Sequence, residues 1–326
     1  MKVYPTDSIR NVALVGHGDV GKTSLASSFL FDSGAVNRLG KVDQGNTVTD
    51  FDEDEVERKI TISSSPCFVE WNKVKINVLD TPGYGNFVAD ARAALRAVDA
   101  SVVLVCGVAG VEVQTEKVWK WSDEYQLPRI LVVNKLDRER SDFSRAVESI
   151  QKAFGRGPLP VQIPIGSEKN FSGVIDLIHF KAFQFQNDES GKFQEIEIPE
   201  NLKQEATQQR QALVEMIAEQ DDALMEKYFE AGELSQEEVL SGLKRAILES
   251  RMIPIFCASA LHNIGAQPIL NAIVDLLPNP LESSFHIQAE NPKDKSVSEI
   301  KTDPKSPFSA FVFKTFVDPY AGRVNL

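Results

Sequence analysis

Residues 10–31 read RNVALVGHGDVGKTSLASSFLF, and the eight residues at the centre decide how the rest folds. RNVALVG (10–16) is an apolar, β-branched run ending in glycine, the pattern of a strand buried on both faces. From Lys22 to about Phe31 the spacing is helical. Between them GHGDVGKT (16–23) matches G-x-x-x-x-G-K-[ST] between a strand and a helix, the context in which that pattern has a mechanism. Gly16, His17, Gly18, Asp19, Val20 and Gly21 bring backbone N–H groups around phosphate oxygens, and Ser24 completes the set. Lys22 adds a point charge for the β- and γ-phosphates, and the Thr23 hydroxyl is a candidate Mg²⁺ ligand. The bland reading is an accidental glycine turn, and the flanking elements argue against it.

Outward from this loop the chain alternates. VKINVLD (74–80), ASVVLVCG (100–107), RILVVNK (129–135) and MIPIFCAS (252–259) read as strands. VADARAALRAVD (88–99), VEVQTEKVWKWSDEYQ (111–126) and AQPILNAIVDLL (266–277) read as helices. Such alternation predicts an α/β fold with a mostly parallel sheet and ligands at the carboxyl ends of its strands. Residues from about 158 to 251 break the rhythm with two strand-like pieces, FSGVIDLI and KAFQFQ, and a charged helical region from Leu202 to Glu249. They are expected to form an inserted α+β subdomain within a domain of residues 1–280. Residues 281–306 are polar and proline-bearing and read as a linker. Residues 307–326 read as the first strand of a further domain, cut short.

Three more motifs lie at strand ends. In NKLD (134–137), Asp137 is placed to accept the N1 and N2 protons of guanine. Asn134 serves the opposite edge and the Lys135 stem covers the ring, so adenine would leave the carboxylate unpaired. In CASAL (257–261), Ser259, the Ala260 N–H and Leu261 complete the base pocket. In DTPGY (80–84), Asp80 reaches Mg²⁺ through water and the Gly83 N–H faces the γ-phosphate. DFDEDEVERKITIS (50–63) places Thr61 in a charged, mobile loop, where its hydroxyl would close on Mg²⁺ only while the γ-phosphate is present. The alternative is a short edge strand. In this order the motifs specify a P-loop NTPase fold that binds GTP or GDP with Mg²⁺.

The net charge of −12 over 326 residues speaks against broad nucleic-acid binding, so no DNA partner is expected. No apolar run approaches the ~18 residues that span a membrane. Cys67, Cys106 and Cys257 lie far apart without metal-type spacing, and the N-terminus has no signal-peptide pattern. A cytoplasmic monomer with reduced thiols is expected.

The motifs GHGDVGKT, TDFDEDEVERKITI, DTPGYGNF, NKLD, SAL, the FSGVIDLI insert and DPYAGR together resemble a translational GTPase of the elongation factor G family. The insert distinguishes it from elongation factor Tu. The resemblance implies GTP hydrolysis on the ribosome, a β-barrel domain beginning near Pro307, and a monovalent cation near Asp19. It also exposes departures. Where the family reads DTPGHVDF this chain has Tyr84, Gly85 and Asn86, so the histidine that positions the attacking water is missing. Where the family reads RGITI this chain has Arg58, Lys59 and Ile60, and Gly18 replaces a branched apolar residue. Of the four histidines, His17 matches the family, while His179, His262 and His286 lie outside the motifs. Tyr84, as a neutral phenol, is the candidate catalytic group beside Lys22, Thr61 and Gly83. The alternative is that its ring only packs. The departures point to a divergent paralogue. A GTP-dependent ribosome-binding switch and a release factor-type GTPase with weak hydrolysis are the competing readings.

Overall fold

The two edges of one strand position the site. β1 (Ile9–Gly16) leads through the glycine loop into α1 (Lys22–Asp32). The chain then forms the short helix α2 (Glu53–Arg58) and returns as β2 (Ser65–Trp71) and β3 (Val74–Asp80). β3 pairs parallel with one edge of β1. After α3 (Val88–Leu95), β4 (Ala100–Cys106) pairs parallel with the other edge. The direction of growth therefore reverses at β1, and its carboxyl end opens onto the crevice where ligands bind in such sheets. This computed structural model describes residues 2–283, 287–300, 302–303, 305–306, 308–318, 320 and 322–326.

The sheet continues through α4 (Val113–Glu124), β5 (Arg129–Asn134), α5 (Phe143–Phe154) and β6 (Pro158–Pro160). The chain then leaves it to build β7 (Gln162–Ile165), β8 (Gly173–Asp176), β9 (Lys181–Phe185) and β10 (Phe193–Ile196), an antiparallel sheet, followed by α6 (Glu200–Ala218), α7 (Asp222–Ala231) and α8 (Gln236–Leu248). It returns as β11 (Ile253–Cys257) between β5 and β6, and α9 (Ala266–Leu276) covers the sheet. The seven strands lie in the order β2-β3-β1-β4-β5-β11-β6, with β2 antiparallel to β3.

β4, β5 and β11 are buried almost throughout, as continuous apolar runs require when helices cover both faces. β2 escapes a search for such runs because it alternates: Val69 is buried while Phe68 and Glu70 are exposed. Its register comes from the turn at Asn72 and Lys73, both at positive φ (48° and 67°), which suits a tight hairpin. The helical region 202–249 holds three helices. The breaks fall where Asp221 caps α7, Gly232 takes a left-handed conformation and Ser235 caps α8. Pro158–Pro160, read with the insert, is the edge strand of the main sheet. The insert shares the main core: Leu213, Ile217, Leu243 and Ile247 belong to the same buried cluster as Leu14 and Val132.

The stretch read as a linker holds a hairpin, β12 (Ile287–Glu290) with β13 (Val297–Ile300). The segment read as a single strand holds a second pair, β14 (Thr315–Asp318) with β15 (Gly322–Asn325). Pro307, His286 and two residues of DPYAGR, Pro319 and Ala321, lie outside the described residues.

Candidate nucleotide-binding site

The phosphate loop is shaped by conformations few side chains allow. Gly21 sits at φ 94° and Asp19 at φ 65°. A Cβ on Gly21 would collide with the Asn134 carboxamide, so glycine is required there for space as well as for φ. Lys22, the first residue of α1, folds its Nζ back to the carbonyl oxygens of His17 (2.8 Å) and Gly16 (3.4 Å). Its burial pushes the ammonium down to about 8, against the attraction of Asp80, Asp19 and Asp50. A buried cation at the amino end of a helix is an anion site. The turn after β3 approaches so closely that a side chain on Gly83 would run into Lys22 Nζ and the His17 carbonyl.

Beside Lys22, five oxygen-bearing side chains converge. The Thr23 and Thr61 hydroxyls are 2.9 Å apart, Thr61 donates to Asp50 Oδ1 (2.8 Å), and Thr49 donates to Asp80 Oδ2 (2.7 Å). Asp50 Oδ2 and Asp80 Oδ1 are buried without a hydrogen-bond partner among the described residues. Burial raises the Asp80 carboxyl. Burial, with the charge of Asp80, pushes Asp50 up to about 7. Two hydroxyls and two under-satisfied carboxylates are a hard-oxygen donor set of the kind Mg²⁺ takes together with nucleotide phosphates and water. These residues fit that ion.

Asp50, which carries no role in the sequence motifs, yields a pH prediction. Its ordinary value is 3.8, so between about pH 4 and 7 the folded chain holds a proton that the unfolded chain has lost. This contribution to stability is present at low pH and declines as pH rises through that window. In EDTA, thermal unfolding should therefore occur at lower temperature at pH 7.5 than at pH 5 by a margin that Asp50→Asn reduces. An unchanged margin in the variant would remove Asp50 from the site's electrostatics.

In the acidic run around Asp50, three carboxylates are tied down. Asp50 accepts from Thr61, Asp52 caps α2 by accepting the Asp54 N–H, and Glu55, buried, accepts the N–H groups of Ile62 (2.9 Å) and Ser63 (3.0 Å). Lys59 ends that helix at φ 58°, a conformation glycine would enter without strain. Thr61 is thereby held against Thr23.

At the base end, Ser259 donates to Asp137 Oδ1 (2.6 Å) and Asn134 bridges two loops, donating to the Val20 carbonyl (2.8 Å) and accepting from the Ala260 N–H (2.9 Å). The Ser259 hydroxyl thus orients the Asp137 carboxylate, and the Ala260 N–H braces Asn134. Asp137 Oδ2 lies 3.7 Å from His262 Nε2 and 3.8 Å from Arg138 Nε.

One cleft of about 420 Å³ is lined by Gly18, Asp19, Gly21, Lys22, Thr23, Ser24, Thr61, Gly83, Tyr84, Asn134, Lys135, Asp137, Ala260 and Leu261, within the size range of small-ligand sites. Gly16, Val20, Asp80 and Ser259 stand behind that wall. The His17 imidazole turns away: its Nδ1 accepts from the Gln114 N–H (3.4 Å) and its Nε2 lies 3.4 Å from Glu112, so only its backbone belongs to the loop. Sequence reasoning passed over Lys41, Asp43 and Arg138, which also line the cleft. Lys41 pairs with Glu189 from the turn between β9 and β10 (2.6 Å), a contact across 148 residues that no local pattern reveals.

Tyr84 lines the cleft with Gly18 and Gly83, half-exposed. A Cβ on Gly18 would meet its ring carbons at 3.0 Å, closer than side chains ordinarily approach. The ring occupies the volume a branched residue at position 18 would take. Burial and the nearby Asp19 raise the phenol further, so it is neutral at pH 7.

A family model described as elongation factor Tu GTP binding domain matches residues 7–279. The chain belongs to this family. Among curated relatives it is 42% identical over 318 residues to elongation factor G of Thermotoga petrophila and 41% identical to that of Thermotoga maritima. Each match covers 98% of this chain and 46% of the relative. A crystal structure of a protein from Thermus thermophilus matches with a TM-score of 0.84 and 33% identity, over 98% of this chain and 45% of the other. The chain thus spans just under half the length of the curated relatives it matches. These relatives favour elongation factor G over the release factor and switch readings. The P-loop GTPase fold with its mostly parallel seven-strand sheet and small antiparallel insert agrees with the sequence expectation. No helix among the described residues is long and apolar enough to cross a membrane.

Proposed function

We propose that this chain binds GTP with Mg²⁺ and hydrolyses it as the nucleotide-binding part of an elongation factor G-like translation factor acting on the ribosome in the cytoplasm. The observation that carries the reading is the convergence of five separate segments on one cleft. Lys22 and the Gly83 backbone lie at the phosphate end. Thr23, Thr61, Asp50 and Asp80 lie where Mg²⁺ would sit. Asp137, aimed by Ser259, lies at the base end. Mg²⁺ would supply charge neutralisation at the phosphates. Asp19, at the cleft wall, is the candidate for a monovalent cation. Residues 1–280 form the nucleotide domain with its insert, and the hairpin after residue 307 begins a β-barrel domain. The protein acts as a monomer.

GTP turnover with and without ribosomes tests the assignment: stimulation by ribosomes supports it, and equal rates at saturating ribosome concentration would overturn the translational part. The segment 40–63 provides a second test. Mg²⁺ and a γ-phosphate sharing its hydroxyl would add to the hold that Asp50 and Glu55 already give Thr61, so amides there should exchange more slowly with GTP than with GDP. Equal protection in the two states would remove the order–disorder step.

A further inference from the structure

Lys314 lies outside every nucleotide motif and far along the chain from the cleft, yet its side chain is only 13% exposed. Its ammonium donates to the Ser63 hydroxyl (2.7 Å), the Ser64 carbonyl (2.9 Å) and Asp90 Oδ2 (2.9 Å). An ammonium has three hydrogens and all three are placed. Asp90 Oδ2 also accepts the Ser64 N–H, so one carboxylate oxygen and one lysine join three separate segments.

Two of those segments lead directly from the phosphates. Ser63 and Ser64 follow Thr61, and the Ser63 N–H is held by Glu55 in the same cage that places Thr61 against Thr23. Asp90 lies in the first turn of α3, shortly after the Gly83–Tyr84 turn. The segment that carries Lys314 is anchored in turn: the Phe313 N–H and the Lys314 carbonyl both bond Leu326, and Phe313 packs against the core cluster containing Val15 and Leu79.

We propose that Lys314 is a positioning residue that holds the segment after residue 308 to both phosphate-facing segments in their closed arrangement, and so favours the GTP state over the GDP state. The inference rests on the reading that Thr61 and the 80–84 turn respond to the γ-phosphate. If Ser63 and Ser64 withdraw with Thr61, the ammonium loses two of its three acceptors and the Ser64 N–H leaves Asp90. An exposed pair of this kind contributes little. This one is largely buried, charge-assisted and three-way, so its loss has a cost the closed state alone avoids. By linkage, whatever Lys314 gains from the closed state it returns to GTP affinity.

The test compares the affinities of GDP and a non-hydrolysable GTP analogue, both with Mg²⁺, in the parent 326-residue chain, Lys314→Met and Lys314→Arg. Lys314→Met should lower the ratio of GTP-analogue to GDP affinity about tenfold, the scale of ordinary coupling between sites, while Lys314→Arg keeps it near the parent value. A parent-like ratio in Lys314→Met overturns the proposal, as does an equal loss for both nucleotides. Hydrogen exchange in the parent gives a reading free of mutation: the amides of Phe313 to Thr315 should be slower with the GTP analogue than with GDP, and equal protection overturns the latch. Failure of the nucleotide reading would show in the parent, which would then bind neither nucleotide. Failure of the latch appears in a parent that binds both.

Discussion

Asp137→Asn should weaken GTP binding by roughly 100- to 1,000-fold and raise affinity for xanthosine triphosphate, with ATP affinity little changed. The geometry sharpens this expectation. Ser259 donates to Asp137 Oδ1 at 2.6 Å, which leaves Oδ2 as the oxygen free of that bond. In the asparagine variant the carbonyl oxygen would keep the Ser259 bond, and the amide would point its hydrogens at guanine's N1 and N2 donors. Donor against donor leaves those hydrogens unpaired. Xanthine carries an oxygen at C2, which accepts from the same amide. Competition of GTP, ATP and xanthosine triphosphate for parent and variant decides it. Equal competition by GTP and ATP for the parent would show that Asp137 does not read the base. Ser259→Ala leaves the carboxylate in place but frees its orientation, so it should cost less than Asp137→Asn, roughly tenfold, as befits one lost hydrogen bond.

The phosphate loop, Asp80, Asp137 and the strand that carries each were legible because their chemistry is local. A strand end, a glycine at positive φ and a lysine opening a helix sit close together in the chain, and no distant partner is needed to interpret them. What was not legible depends on contacts across the chain. The Ser259 hydroxyl and the Ala260 N–H looked like ligands for the base. Whether they instead brace Asp137 and Asn134 depends on two loops, 122 and 126 residues apart at these contacts, meeting at the ends of neighbouring strands. His17 read as a loop residue, and its imidazole is claimed by the amino end of α4, which no spacing within the motif implies. The acidic run at 50–57 owes its local structure to partners that the run itself does not show. Carboxylates in series repel only if solvent is their sole company, and here α2 and the chain after it give Asp52 and Glu55 backbone N–H groups while Thr61 gives Asp50 a hydroxyl. β2 and the strands β12 and β13 were hidden by length and alternation, since short amphipathic strands carry little signal beyond their turns.

Gly18→Ile combined with Tyr84→His should recover activity that Gly18→Ile alone loses, and the size of that recovery measures whether the two residues share one volume. The ring of Tyr84 stands where a Cβ on residue 18 would lie 3.0 Å from three of its carbons. Isoleucine there must displace the ring, an overpacking cost of about 1–3 kcal/mol, toward the lower end because Tyr84 has solvent on its other side. An imidazole is smaller and leaves that volume free, so the double variant should show a coupling well above ~0.5 kcal/mol. Additive effects would mean that the residues do not compete for the space. The hydroxyl is a separate question with a separate variant. Tyr84→Phe keeps the ring against Gly18 and removes only the group that could orient water. Its effect should be confined to the chemical step: ribosome-stimulated turnover lower by about tenfold to a hundredfold, with GTP affinity within about twofold of the parent. Intrinsic turnover should already be slow in the parent, because a phenol held neutral places no positive charge on the transition state where an imidazole could. Parent-like turnover in Tyr84→Phe would assign Tyr84 to packing alone. The hydrolytic step would then depend on Lys22, Thr61 and the Gly83 N–H, together with whatever the ribosome supplies.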